Sequence, residues 1–188
     1  MATYFSDNYV TFDATTPVAI SSLPTIAQIN DSSKAGRLRY KRVQTKFQVG
    51  FDPAASDQVR LATFRSTDRL IEIHTAMTAE WGAATTADLG AYYTGDANDG
   101  AVIDQDRFAS DIDLNHASLK TRAEVLNETA TGDAYEDYLR GAPLWEACAI
   151  ASDPGGFIDV ALTFVNHAEV TGGAVRTLTT EFYYHSGD

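Results

Sequence analysis

The sequence predicts a mostly β fold: an antiparallel β-sandwich, jelly-roll or Greek-key like, with an extended N-terminal arm and one or two short helices. Three observations predict it. Apolar and polar residues alternate over several separate runs, the period of half-buried strands. Turn sequences separate the runs, as at Asp153, Pro154, Gly155 and Gly156 and again at Thr171, Gly172 and Gly173. Thr, Tyr and Phe suit a pleated surface, and there are nine Tyr and nine Phe. Roughly eight strands without an internal repeat match two packed antiparallel sheets.

At 188 residues, with 44% hydrophobic residues, the chain can bury a core without staples. It divides into an arm, residues 1–36, and a sandwich body, residues 37–188. Tyr4, Phe5, Tyr9, Val10 and Phe12 are apolar, but Pro17, Pro24 and the run from Asn30 to Ser33 interrupt the arm. It reads as an extension laid over a neighbouring subunit; an irregular first strand of the same body is the alternative.

Residues 37–50 form the next strand. Leu38 and Tyr40 share one parity, and Val43, Thr45, Phe47 and Val49 share the other. That slip predicts a β-bulge at Lys41 and Arg42, or two joined short strands, with the cations on the solvent side. Strands follow over 59–64, 69–79 and 87–94. In the second, Ile71, Ile73, Thr75, Met77 and Ala79 make one face, and Glu72 and His74 point the other way. A Gly/Asp/Asn loop leads to a short helical turn over 104–110, capped by Asp104, with Phe108 and Ala109 inward. Short helices are also expected across 119–126 and 133–139. Residues 144–150 are apolar and form a hairpin with 157–165, or a helical turn before it. The last strand is 175–184.

Composition narrows the partners. The net charge of −12 opposes a phosphate backbone, so no nucleic acid is expected. No apolar run is long enough to span a bilayer, and the start lacks a signal-peptide pattern, so no membrane partner is expected and synthesis falls in the cytoplasm. The basic residues are nevertheless clustered: Lys34, Arg37, Arg39, Lys41, Arg42 and Lys46 stand close together in an acidic chain. Such a patch suits docking onto a partner or a sister copy by charge. Cys148, the one cysteine, forms no intrachain disulfide and reads as a small buried hydrophobe.

Candidate chemistry is sparse. His74, His116, His167 and His185 have no metal-ligand spacing. Asp104 and Asp106, and Asp111 and Asp113, are paired carboxylates of the type used in glycoside hydrolysis, but capping and solvation explain them. Asp96, Asn98, Asp99 and Asp104 offer oxygens to Ca²⁺ without the EF-hand order. No nucleophile motif or phosphate loop occurs. Trp81, Tyr92 and Tyr93 are expected in the core rather than on a sugar-binding face. The expectation is a non-enzymatic protein with no cofactor.

The stretch 87–110 carries a resemblance. Ala87, Asp88, Leu89 and Gly90 open a strand, a Gly-rich loop follows, and Asp104, Asp106, Phe108, Ala109 and Ser110 close it. This resembles tailed-bacteriophage capsid decoration (cement) proteins with a β-sandwich body. The opening Met-Ala-Thr, the basic strand after an arm and the final aromatic strand are similar too. The resemblance implies a virion protein on the outer capsid surface that bridges major capsid protein subunits. It also implies contact with copies of itself, as dimer or trimer. The arm anchors would be Tyr4, Phe5, Tyr9 and Phe12. Arg37, Arg39, Lys41 and Arg42 would meet acidic patches. A tail or fibre module that binds carbohydrate or a receptor is the competing expectation.

Overall fold

A computed structural model of the chain describes residues 3–5, 38–81, 84–94, 100–115, 123–126, 141–170 and 175–187. In chain order the strands are β1 (Thr3–Phe5), β2 (Leu38–Phe47), β3 (Gln58–Arg65), β4 (Arg69–Met77), β5 (Thr86–Tyr93), β6 (Val102–Asp113) and β7 (Ala123–Glu124). A short helix, α1 (Leu144–Ala147), precedes β8 (Phe157–Asn166) and β9 (Arg176–His185).

The strands form two sheets, ordered β1-β3-β8-β5-β6 and β2-β9-β4-β7. The chain changes sheet at each step from β2 to β5, β5 and β6 pair as neighbours, and the last strands slot between earlier ones. β9 lies between β2 and β4, and β8 between β3 and β5. That order is a jelly roll, two Greek keys wrapped face to face. The pairs β2–β9, β3–β8, β4–β9 and β5–β8 are antiparallel, whereas β1 runs parallel to β3. The expected sandwich is therefore present, as a jelly roll with one added parallel edge strand.

Alternation drives the core. Ile158, Val160, Leu162 and Phe164 of β8 face Leu178 and Phe182 of β9 and Ile73 and Met77 of β4, all buried. At one end Phe47, Phe51, Trp81 and Phe164 interlock, with the Phe47 and Trp81 rings 4.9 Å apart and Trp81 and Phe164 5.6 Å apart. The Trp81 indole N–H donates to the Ala168 carbonyl at 2.7 Å, so this buried polar group is satisfied. At the other end Phe64 meets Phe182 and Tyr184 edge-on at 5.2 and 5.1 Å.

Four expectations need correction. The helical turn over 104–110 is instead part of β6, because β5 holds that segment down. Leu89 stands opposite Ala109 but Ala91 opposite Asp104, so residues 105–108 bulge over Gly90 alone. The Asp88 carboxylate accepts from the Asp111 amide at 2.9 Å and the Gln105 side-chain amide at 2.8 Å, and fixes both flanks of the bulge. The motif that carried the resemblance is thus a bulge clamp. Phe108 and Ala109 are buried, as expected, but from a strand.

The bulge expected at Lys41 and Arg42 does not occur. β2 pairs with β9 in one unbroken register from Leu38 to Phe47, and the bulges lie at Leu61 in β3 and Ile71 in β4. The segment 144–150 is the helical turn rather than a hairpin strand. Its amides at Leu144 and Trp145 donate to Asp68 and Ser66 carbonyls, which docks α1 on the β3–β4 turn. The short helix expected across 119–126 meets β7 at Ala123–Glu124, where pairing with β4 makes it a strand. The helix expected over 133–139 lies outside the described residues.

Candidate interaction surface

The outer face of the β2-β9-β4-β7 sheet brings together residues that are far apart in sequence. Strand pairing places Tyr40, Tyr183 and Glu72 in one row and Arg42, Glu181 and His74 in the next. The Tyr40 hydroxyl donates to Glu181 Oε1 at 2.7 Å, and Arg42 Nε stands 3.9 Å from the same oxygen. The Tyr40 and Tyr183 rings are tilted with centroids 5.2 Å apart. His74 meets Tyr183 edge-on at 5.8 Å and hydrogen-bonds Glu72 at 2.9 Å through Nε2.

The result is a continuous polar and aromatic network across three strands. Cross-strand aromatic and opposite-charge pairs of this kind each contribute about 0.2–1 kcal/mol. Desolvation, then the Glu181 carboxylate, push the Tyr40 phenol up to about 12, so it remains a donor over the whole physiological range. Leu38 and Tyr40 remain exposed at 58% and 46%, which makes the β2 end of the face sticky as well as polar. A shallow depression of about 140 Å³ lies among Arg42, His74, Ala76, Thr179 and Glu181. It is smaller than the roughly 300 Å³ at which small-molecule pockets begin, and suits a partner side chain better than a substrate.

The basic strand is split by its own register. Arg42 is outward, its side chain half-exposed. Arg39 and Lys41 share the inward parity of Val43 and Phe47 and do not point to solvent as expected. Lys41 Nζ donates to the Thr63 carbonyl at 2.7 Å and lies 4.4 Å from the Phe64 ring centre. Burial pushes its ammonium down to about 8. Arg39 hydrogen-bonds the Tyr184 phenol. The apparent phase slip was two cations folded inward at the mouth of the sandwich. Tyr4 and Phe5 lie in β1, paired with Val59 and Arg60. Tyr9, Phe12 and Arg37 lie outside the described residues.

The opposite sheet carries a buried polar cluster on its outer face. Arg60 Nη1 pairs with Asp159, which also accepts from Thr63 Oγ1 at 2.5 Å and Thr94 Oγ1 at 3.5 Å. Arg60 donates as well to the carbonyls of Tyr93 and Gly100, at 3.4 and 3.3 Å, on either side of the β5–β6 loop. This cluster ties the end of β5 and Gly100 to β3 and β8.

Among the described residues no group of three or more His, Cys, Asp or Glu is placed to hold a metal ion. Asp104, offered as a Ca²⁺ ligand, lies in β6; burial and Asp106 raise its pKa above the usual carboxylate range. Asp96, Asn98 and Asp99 lie outside the described residues. Cys148 is buried, and burial pushes its thiol up to about 12, so it is an inert packing residue. Glu72 and His74 are expected from their parity to point away from the core, but nothing in the sequence joins them to Tyr40, Glu181 and Tyr183, because that requires knowing that β9 sits between β2 and β4.

No family model matches the chain, and no curated protein does. Among solved structures, a chain of the capsid of Ralstonia phage GP4 is similar in fold, with a TM-score of 0.54 and 16% identity. The match covers 100% of this chain and 99% of that one. A chain of the Cyanophage Pam1 capsid asymmetric unit aligns with a TM-score of 0.48 and 13% identity, over 81% of this chain and 86% of that one. At 16% identity the likeness to the Ralstonia phage GP4 capsid chain is one of fold alone.

Proposed function

We propose that this chain is a structural protein of a bacteriophage virion, and within it a decoration or cement protein. On this reading it binds the outer surface of the head and bridges major capsid subunits. The observation that carries the reading is the end-to-end fold likeness to a chain from the capsid of Ralstonia phage GP4. The outer face of the β2-β9-β4-β7 sheet supports it, since it is broad, aromatic and charged of both signs.

The mechanism is thermodynamic. A ligand that binds only the closed shell stabilises it by mass action, and many identical sites multiply the effect. The Tyr40, Arg42 and Glu181 cluster supplies pre-ordered contacts, because its side chains are already held by one another and lose little freedom on docking.

The test is addition of the purified protein to heads assembled without it, followed by electron microscopy and by heating. Saturable density on the outer surface and a higher disruption temperature are expected. Heads that stay bare at saturating protein overturn the reading. The exposed Tyr40 beside Tyr183 also offers an aromatic surface to sugar, so a glycan array is the companion measurement. Specific glycan binding with bare heads would favour a receptor-binding module of tail or fibre.

A further inference from the structure

We propose that the outer edge of β3 is an acceptor slot for the β1 strand of a second copy of this chain, so that neighbouring copies are joined by strand exchange. The inference deepens the virion reading and rests on it only for bringing many copies side by side.

β1 is the parallel strand on a sandwich whose other full-length pairs are antiparallel, and it touches the body through Thr3, Tyr4 and Phe5 alone among the described residues. These pair with Gln58, Val59 and Arg60. The β3 edge therefore accepts this segment in a defined register. A sheet edge that offers unpaired N–H and C=O groups is a template for a strand from any source. An identical segment from another copy makes the same hydrogen bonds, so exchange costs little in contact energy.

The length of chain that follows favours exchange. Phe5 ends beside Arg60. β2 crosses β3 where Lys41 reaches the Thr63 carbonyl, so Leu38 lies just beyond, near the far end of β3. The direct path is on the order of 20 Å, which six or seven extended residues cover at about 3.3 Å each. The segment 6–37 is several times longer than that. Fully extended it reaches on the order of 100 Å, more than the width of a neighbouring domain of this size.

The test uses the full chain with cysteines at Thr3 and Gln58, which are Cα partners across the parallel pair. The Cys148 thiol is buried and does not compete. Oxidising a mixture of the single variants Thr3→Cys and Gln58→Cys should give covalent heterodimers. The double variant should give linked dimers or longer chains. Because Gln58 is buried and its replacement can disturb folding, Tyr4→Pro provides a second measurement. It leaves the body folded but removes a strand amide, and should turn an oligomer into a single-chain species by light scattering.

A double variant that closes within one chain overturns the exchange. So does a wild-type chain that is already monomeric in concentrated solution, or a Tyr4→Pro chain of unchanged mass. A chain that closes on itself yet still coats heads overturns the exchange alone. A chain that exchanges β1 but never coats heads overturns the virion reading alone.

Discussion

Gly90 and Gln105 are in backbone contact: a Cβ on Gly90 would lie 2.0 Å from the Gln105 carbonyl oxygen. No rotamer change can relieve this, since both sides of the contact are main chain. Gly90→Ala should therefore lift the β6 bulge off β5 and cost about 3 kcal/mol or more, the upper end for overpacking. Urea denaturation measures it. A loss under about 1 kcal/mol would mean that the bulge does not rest on β5.

Ala149 should be improved by glycine. The end of α1 is a Schellman motif, with the Ile150 amide donating to Trp145 O and the Ala149 amide to Glu146 O, both at 2.9 Å. Such a motif places its penultimate residue in the left-handed region, and Ala149 has φ of 54°. Ala149→Gly relieves the Cβ strain and should raise stability by about 0.5–1 kcal/mol. An unchanged or lower melting temperature would contradict this.

Lys41 makes the pH dependence asymmetric. Its folded pKa of about 8 lies below the ordinary 10.5, so the folded state penalises the charged form. The penalty is full below about pH 8 and is relieved as pH rises toward 10.5, because the unfolded chain there binds more protons. Lys41→Met should stabilise the protein at pH 7 by about 1–2 kcal/mol, after allowing for the lost hydrogen bond to Thr63. Between pH 8 and 9.5 the wild type should gain on the variant. Above about 10 the phenols of Tyr40 and Tyr92, both pushed up to about 12, work in the opposite direction, so the comparison belongs below that. Parallel melting curves at pH 7 and 9.5 decide it.

The Arg60 and Asp159 side chains are 10% and 7% exposed. Removing one leaves the other charged, buried and unpaired, so Arg60→Met should cost about 3–5 kcal/mol. Arg60→Met combined with Asp159→Leu should recover much of that loss. A double-mutant cycle by denaturant titration tests it, with additive costs as the contrary result.

Much of the fold was legible because period-2 alternation marks a strand wherever one face is buried. The strands at 59–64, 69–79, 87–94, 157–165 and 175–184 fall within about two residues of β3, β4, β5, β8 and β9. Residues 104–110 failed the same test for a physical reason: their pattern is set by Gly90 and Asp88 on another strand, not by their own faces. Lys41 misled for the converse reason. A long cation can enter a sandwich mouth and hydrogen-bond there, so charge did not mark the solvent side. The candidate surface required cross-strand neighbours, and nothing local in Tyr40 announces Glu181, which lies near the opposite end of the chain.

The two mouths of the sandwich are unequal. One is sealed by the interlocked rings of Phe47, Phe51, Trp81 and Phe164, the other by Lys41, Arg39 and Tyr184 over Phe64. Water competes for the second seal and not for the first. Under heat or tension the layers should part like a hinged book, fraying from the Leu38 and His185 corner while the Trp81 spine stays shut. Amide exchange would then read as a gradient along each strand.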